Sequence, residues 1–538
     1  MSAILSEEDL NDFISPGVAC IKPVDNLSEK KEDAEVEIQT GKKGETVEVS
    51  KVDGSSKNLL EAQISLSDCL ACSGCITSAE EVLVAQHSHN EFLKVLDDPQ
   101  RGNKVFVASI AHQPRASLAA AYGVPVGVMD RLLVNFFTTQ MGFSYVVGTE
   151  LGRKLSLIEE SKKIIERKES ASSRGPLLSS VCPGLVLYVE KSHPYVIPYL
   201  SDTKSPQQIT GCLLKNTVAR ELNVAPSDIF HLSVMPCFDK KLESARPEKD
   251  QNGSNQTRDV DFVITAKELI NLIEENSPRF SLFPTNTKEI LSGEYSNEQI
   301  QRKYAPQFWP YTDASWSSDE GSASGGYSYN YLAMMQAHLI AKDPRYVPEN
   351  FVLKTVMGRN ADIYELRLLY EGEICAQAAV VNGFRNIQNL IRKLKPSSSS
   401  SAGRTNLLAS RRRAKLSKTP QQKFERDDEM TDASKCDYVE VMACPQGCIN
   451  GGGQISSPPE VSDKAWIAET LLKYNDIPHS MGMLNWGYDI VQSLLSWTGQ
   501  FCVESSISQS RLLQTWFHEV EKPDESQASN PVLVGNKW

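Results

Sequence analysis

The 538-residue sequence has no stretch approaching ~18 uninterrupted apolar residues, so no transmembrane helix is expected. It has no excess of basic charge either: 56 Lys and Arg against 68 Asp and Glu leave a formal net charge of -12. A dedicated nucleic-acid binder needs a basic surface to neutralise phosphates, and this balance argues against one. The opening "MSAILSEEDLNDF" turns acidic at Glu7, unlike the basic start of a signal peptide or the Arg-rich run of a transit peptide. The expected compartment is therefore the cytosol, with nuclear access. Histidines number only 8 and show no paired metal spacing such as HExxH, so none is assigned as a ligand, His112 and His193 included.

What the sequence does have is cysteine, 12 in all. In a reducing compartment these are metal ligands or buried thiols, not a disulfide framework. Spacing separates the two. "CLACSGC" places Cys69, Cys72 and Cys75 in a C-x2-C-x2-C run that can fold around one soft metal centre, with Gly74 easing the turn. A cubane iron–sulfur cluster needs four thiolates, and "ITSAE" after Cys75 supplies none. The upstream candidate for the fourth is Cys20 in "SPGVACIKPV".

A second group is dispersed: Cys182 in "SSVCPG", Cys237 in "VMPCFDKKLE", and Cys444 with Cys448 in "MACPQGCINGGGQ". Two of these follow expected strands, and ligands gather at the C-terminal ends of parallel strands. Two thiols from separate strand ends and two from a glycine-rich loop can enclose one cluster between lobes. The C-P-x-x-x-C spacing also fits a zinc turn, since soft thiolates suit both metals. Gly451, Gly452 and Gly453 are expected to let backbone pass close to the metal and aim N–H groups at sulfur. Lys240 is either a surface charge or an offset to cluster charge. Cys212, Cys375, Cys436 and Cys502 sit in apolar or mixed text and read as core residues.

Length allows roughly three or four domain-sized units. From Lys104 strands and helices alternate. "KVFVASIA", "FSYVVGTE", "PLLSSVCPG", "IFHLSVMPC" and "DVDFVITA" read as strands. "PVGVMDRLLVNFFTTQ", "LSLIEESKKIIERKES", "SPQQITGCLLKNTVARELN" and "KELINLIEEN" read as helices. The alternation implies parallel βαβ units and an α/β fold. Residues 1–100 are expected to form an N-terminal metal-binding region, with 27–58 a flexible insertion. Residues 101–275 and 276–455 form two lobes, the second carrying a disordered insertion at 396–430, and 456–538 form a C-terminal helical region and tail. The loop Arg246 to Asp259 reads as dispensable to the core. The run Arg411 to Arg413 fits a nuclear localisation signal or a solvated loop.

At this point three stretches resemble the signatures of the iron-only hydrogenase family. "SSVCPGL", Ser179 to Leu185, is similar to TSCCPxW. "MPCFDKKLE", Met235 to Glu243, matches MPCxxKxxE, and "EVMACPQGCINGGGQ", Glu440 to Gln454, matches ExMACxxGCxxGGGQ. "SPQQITG", "DVDFVIT" and the glycine loop "GSASGGY" (Gly321 to Tyr327) add to the likeness, which runs from about Lys104 to about Gln454. The first signature departs from the family. The enzymes carry a proton-relay thiol where this chain has Val181, and a tryptophan where it has Leu185. A proton-reducing catalyst without its relay lacks acid–base chemistry at the reacting atom.

With Cys20 and "CLACSGC" added, the chain resembles the hydrogenase-like cytosolic iron–sulfur assembly factors, also called nuclear architecture related or nuclear prelamin A recognition factor-like proteins. The resemblance implies two hydrogenase-like lobes with parallel-rich sheets flanked by helices, plus a small N-terminal ferredoxin-like region. It implies two 4Fe-4S clusters, one on Cys20, Cys69, Cys72 and Cys75 and one on Cys182, Cys237, Cys444 and Cys448. It implies no catalysis. It implies partnership with an early scaffold, with a late targeting complex that includes a WD40-repeat subunit, and with client apoproteins in cytosol and nucleus. Trp538 resembles the aromatic end of client-targeting tails in this pathway, although Lys537 is not the acidic neighbour expected; a frayed end is the other reading. Two rivals stand beside it: a working hydrogenase or redox enzyme, and a structural zinc protein.

Overall fold

A computed structural model of the protein describes residues 36–40, 46–50, 56–58, 87–170, 175–247, 258–283, 297–312, 315–395, 431–481 and 488–520. The chain divides into two units, Met1–Val82 and Leu83–Trp538. Cys20, Cys69, Cys72, Cys75, the 396–430 insertion and Trp538 lie outside the described residues.

In the first unit, β1 (Val36–Thr40), β2 (Thr46–Ser50) and β3 (Ser56–Asn58) pair antiparallel in that order. They fall inside 27–58, so this part of the expected flexible insertion is instead strand. The reason is legible in retrospect. Val36, Ile38 and Thr40, then Val47 and Val49, alternate with polar residues at period two, and high overall polarity hid the pattern.

The second unit begins with α1 (His89–Asp97), β4 (Val105–Ile110), α2 (His112–Ala121), α3 (Val126–Asn135), β5 (Tyr145–Gly148), α4 (Glu150–Glu169) and β6 (Leu177–Leu178). It continues through α5 (Pro183–Ser192), α6 (Pro206–Leu222), β7 (Ile229–Met235), α7 (Asp239–Ser244), β8 (Phe262–Thr265) and α8 (Ala266–Glu275). The helix starts are chemically marked. Ser205 caps α6 by accepting from the Gln208 N–H, with Pro206 at the first helical position, and Thr265 with Glu268 closes a capping box on α8. Strands β5-β4-β7-β8 form a four-stranded sheet, parallel throughout, with Val107 opposite Tyr145 and Val234 opposite Ile264. Helix α2 is an addition to the elements read from sequence.

Next come α9 (Asn297–Lys303), β9 (Ser318–Asp319), α10 (Tyr327–Lys342), β10 (Phe351–Met357), β11 (Ile363–Tyr370), β12 (Glu373–Asn382), α11 (Phe384–Leu394) and β13 (Tyr438–Met442). Strands β10-β11-β12-β13-β6 make a second, mixed sheet. β10, β11 and β12 run antiparallel, whereas β12–β13 and β13–β6 are parallel pairs. Two-residue β6 thus comes from within 101–275 but bonds to the second sheet, through Leu177 to Tyr438 and Leu178 to Val439. Helix α11 buries Ile387, Leu390, Ile391 and Leu394, the i, i+3, i+4, i+7 face of an amphipathic helix. The described chain closes with α12 (Asp463–Asn475), β14 (His479–Met481), α13 (Tyr488–Glu504) and α14 (Gln509–Leu513), and β14 pairs with β9. No single helix among the described residues is long and apolar enough to cross a membrane.

The loop ends at Arg246 and Asp259 correct the expectation of a dispensable segment. Asp259 is buried and pairs with Lys204 at 2.8 Å and Arg511 at 2.6 Å, and Arg246 pairs with Glu190 at 2.6 Å. A polar run does not reveal which of its charges find partners in the core.

Candidate metal centre

Three strands end at one place. Behind β6 comes Cys182, which occupies the N-cap of α5 with Pro183 next. Beyond β7 lie Pro236 and Cys237, leading into α7. β13 runs into Ala443 and Cys444, and a short turn brings Cys448. The four thiols are close enough to act on each other electrostatically: Cys444, Cys448 and Cys182 each push Cys237 toward its neutral form. Ala443 N–H donates to the Cys182 sulfur at 3.3 Å, tying the β13 loop to the β6 loop. The Cys448 sulfur lies 3.6 Å from the Met442 sulfur.

Burial dominates the electrostatics. It raises the Cys182 thiol, carries Cys237 and Cys444 well above the ordinary thiol range, and pushes Cys448 up to about 12. Asp239 adds to the effect at Cys182, Cys237 and Cys444. Opposing it are Leu185 N–H and Ala443 N–H on Cys182, Gly452 N–H on Cys444, and the Lys240 charge near Cys182 and Cys448. Four such thiols ionise together only when a cationic group sits among them. No three His, Cys, Asp or Glu side chains among the described residues are placed to hold a single metal ion. Four thiol donors brought in by three strand ends, with amide N–H groups on the Cys182 and Cys444 sulfurs, fit an iron–sulfur cubane, which would supply one-electron chemistry when bound.

The supporting residues were partly legible. Lys240 is not a surface charge. It is buried, its ammonium donates to the Val181 carbonyl at 3.0 Å, and it pairs with Glu243 at 2.9 Å. The glycines do different work from that expected. Only Gly452 N–H meets a thiol; Gly451 N–H goes to the Cys448 carbonyl and Gly453 N–H to the Pro236 carbonyl at 2.9 Å. A Cβ on Gly451 would stand 2.4 Å from the Pro236 oxygen, so this position lets the β13 loop lie against the Cys237 loop. Ser324 was missed. It accepts the Cys448 N–H at 2.9 Å, and the quoted "GSASGGY" run was the signal that pointed at it. His112 and His193 bond to the Ser317 carbonyl and the Tyr188 hydroxyl, away from the centre. Cys212, Cys436 and Cys502 are buried, and Cys375 is half-buried.

Residues 104–452 match the family described as "Iron only hydrogenase large subunit, C-terminal domain". The chain is 57% identical over 543 residues to the cytosolic Fe-S cluster assembly factor NAR1 of Meyerozyma guilliermondii, with 100% of both chains covered. The chain belongs to the NAR1 family. The Debaryomyces hansenii member is 58% identical over 551 residues, again with 100% of each chain covered. Among solved structures, a variant of apo FeFe-hydrogenase HydA1 from Chlamydomonas reinhardtii aligns with a TM-score of 0.52 at 22% identity. That alignment covers 82% of this chain and 99% of the other, and it is a likeness of fold. The hydrogenase-like α/β architecture expected from the signatures is therefore present, and the names carried by the NAR1 relatives point to assembly, not catalysis.

Proposed function

We propose that this protein is a non-catalytic component of cytosolic iron–sulfur protein assembly that binds two 4Fe-4S clusters. Cys182, Cys237, Cys444 and Cys448 hold one, and Cys20, Cys69, Cys72 and Cys75 hold the other. The protein links the early scaffold to the late targeting complex and so serves apoproteins of cytosol and nucleus. The observation that carries this reading is the meeting of four thiols from three strand ends, in a fold whose NAR1 relatives are named for Fe-S cluster assembly. Support for the absence of catalysis comes from Val181. Its side chain packs among the apolar residues around Cys182, and it offers Lys240 only a carbonyl. A working hydrogenase is the alternative, favoured by the fold alone.

Anaerobic purification with iron and sulfide counts, paramagnetic resonance and a hydrogen-evolution assay tests the reading. About eight irons per chain in two distinct four-iron clusters, and no hydrogen, are expected. Because the thiols come from distant segments, cluster binding is folding free energy. Cys182→Ala should therefore lose about half the iron and lower the melting temperature together. Full iron with unchanged melting, or sustained hydrogen evolution by the parent, overturns it.

A further inference from the structure

We propose that the open edge of β10 is a docking site for an extended segment of a partner protein, which adds a strand there and sets a carboxylate opposite Lys354 and an apolar side chain opposite Val352. β10 carries no candidate ligand, so docking there does not depend on the cluster reading.

The register fixes which backbone groups face outward. β10 ends the mixed sheet and pairs with β11 without a break, from Phe351 opposite Tyr370 to Met357 opposite Tyr364. Gly358 N–H donates to the Ile363 carbonyl at 2.7 Å, and Glu371 N–H donates to the Asn350 carbonyl at 3.4 Å. Bonded pairs in an antiparallel ladder recur at every second residue. Val352, Lys354 and Val356 therefore turn their N–H and C=O groups to β11. Phe351, Leu353, Thr355 and Met357 turn theirs to the open side, where no strand lies among the described residues.

This edge is poorly guarded. Proline, bulges or a covering element usually blunt an edge strand. β10 has no proline and no register shift. Its start is held by Tyr346, Phe351 and Tyr370, whose ring centroids lie 4.8 to 5.7 Å apart. A strand added to a fixed template loses less entropy than one added to a loose template.

The side chains choose the occupant. From Asn350 to Ala361 the chain has two cations, Lys354 and Arg359, and no carboxylate, in a protein of formal net charge -12. Both cations are exposed, and neither has an ion-pair partner among the described residues. Arg367, opposite Lys354, is paired with Glu365 at 2.7 Å. On the same face Val352, Leu369 and Ile374 stand opposite one another across three strands, and Val352 and Ile374 are exposed. A complementary strand alternates acidic and apolar side chains on that face, while its main chain supplies the hydrogen bonds. A second copy fits poorly. Antiparallel self-pairing over the whole of β10 sets Lys354 against Lys354, and like charges directly opposite are destabilising.

The test titrates the full chain, purified anaerobically, with a labelled, end-capped peptide of seven residues, the length of β10. It has threonine at odd positions, valine at the second and sixth, and glutamate at the fourth. Its twin has lysine at the fourth. Fluorescence anisotropy should show the glutamate peptide binding about tenfold more tightly than its twin. Amide exchange across 351–357 should slow when it binds. Lys354→Glu should reverse the preference. Thr355→Pro removes an outward N–H and no bond to β11, so it should lose binding with melting unchanged. If that variant melts early, the charge reversal decides. Equal binding of the two peptides, no reversal in Lys354→Glu, or no binding up to about 1 mM overturns the inference. Full binding by folded Thr355→Pro places the peptide elsewhere and overturns it too. A parent dimer in sedimentation that Thr355→Pro dissolves assigns the edge to a second copy, and likewise overturns it.

Discussion

The two main sheets differ in how they meet solvent and in how many thiols they deliver. In the parallel sheet β7 and β8 are buried along their whole length, and it supplies one candidate ligand, Cys237. The mixed sheet runs from an open edge, where Val352 and Met357 of β10 are 59% and 60% exposed, to fully buried β13, and supplies three. The three strands that carry thiols, β6, β7 and β13, all belong to parallel pairs. Parallel strands present their C-terminal ends on one side, where loops converge, and the antiparallel meander of β10, β11 and β12 contributes no candidate ligand, its Cys375 lying within β12. The chemistry follows strand direction, and the meander buttresses β13 from the far side.

That contrast can be broken on the parallel side with the largest effect. Asp259 lies just ahead of β8, and although burial favours its neutral form, Lys204 and Arg511 hold it well below the usual carboxylate range. Asp259→Asn leaves two buried cations poorly matched and should cost about 3–5 kcal/mol, read as a large fall in melting temperature with the same cysteines in place. Destabilisation comparable to a surface substitution would remove the argument that this sheet depends on its buried charges.

A smaller effect is expected from pH. His231 on β7 sits between the Asp259 carbonyl at 2.9 Å and the Ser109 hydroxyl at 2.8 Å, and burial lowers its pKa to about 4. Between about 6.5 and 4 the unfolded chain binds a proton that the folded one refuses, so stability falls as pH drops through that window. The loss is roughly 2 kcal/mol by pH 5. Melting curves at pH 7 and pH 5 should show a steeper decline for the parent than for His231→Gln. Equal declines would exclude His231 as the cause.

At the open edge of the mixed sheet the comparison predicts almost nothing. Met357→Lys should stay within about 0.5 kcal/mol and leave iron content unchanged, because this side chain faces solvent on a strand that carries no thiol. A substantial loss of iron there would show that the meander bears on the centre directly.

Much of this was legible from the chain alone. Runs such as "KVFVASIA" and "IFHLSVMPC" announce buried strands, and they fold as β4 and β7. Cys182, Cys237, Cys444 and Cys448 stand out by motif, against four cysteines in ordinary text, three of which are buried. The alternation inside 27–58 was readable and was obscured by polarity. The attachment of β6 to the second sheet was not, because two residues carry no periodicity and their partners lie more than 250 residues away. The role of Asp259 was hidden for a related reason. A charge in a polar run looks solvated until Lys204 and Arg511 are folded against it.

The sequence by itself determined the α/β class, the family, and which thiols stand apart as candidates, because periodicity and motif spacing are local properties that survive without a structure. Only the tertiary structure decided that four of those thiols come together at one place, that Lys240 is paired with Glu243, and that Ser324 accepts the Cys448 N–H across 124 positions of chain. Burial and strand direction are properties of the packed whole. They move a thiol's ionisation, and no local pattern in the chain encodes them.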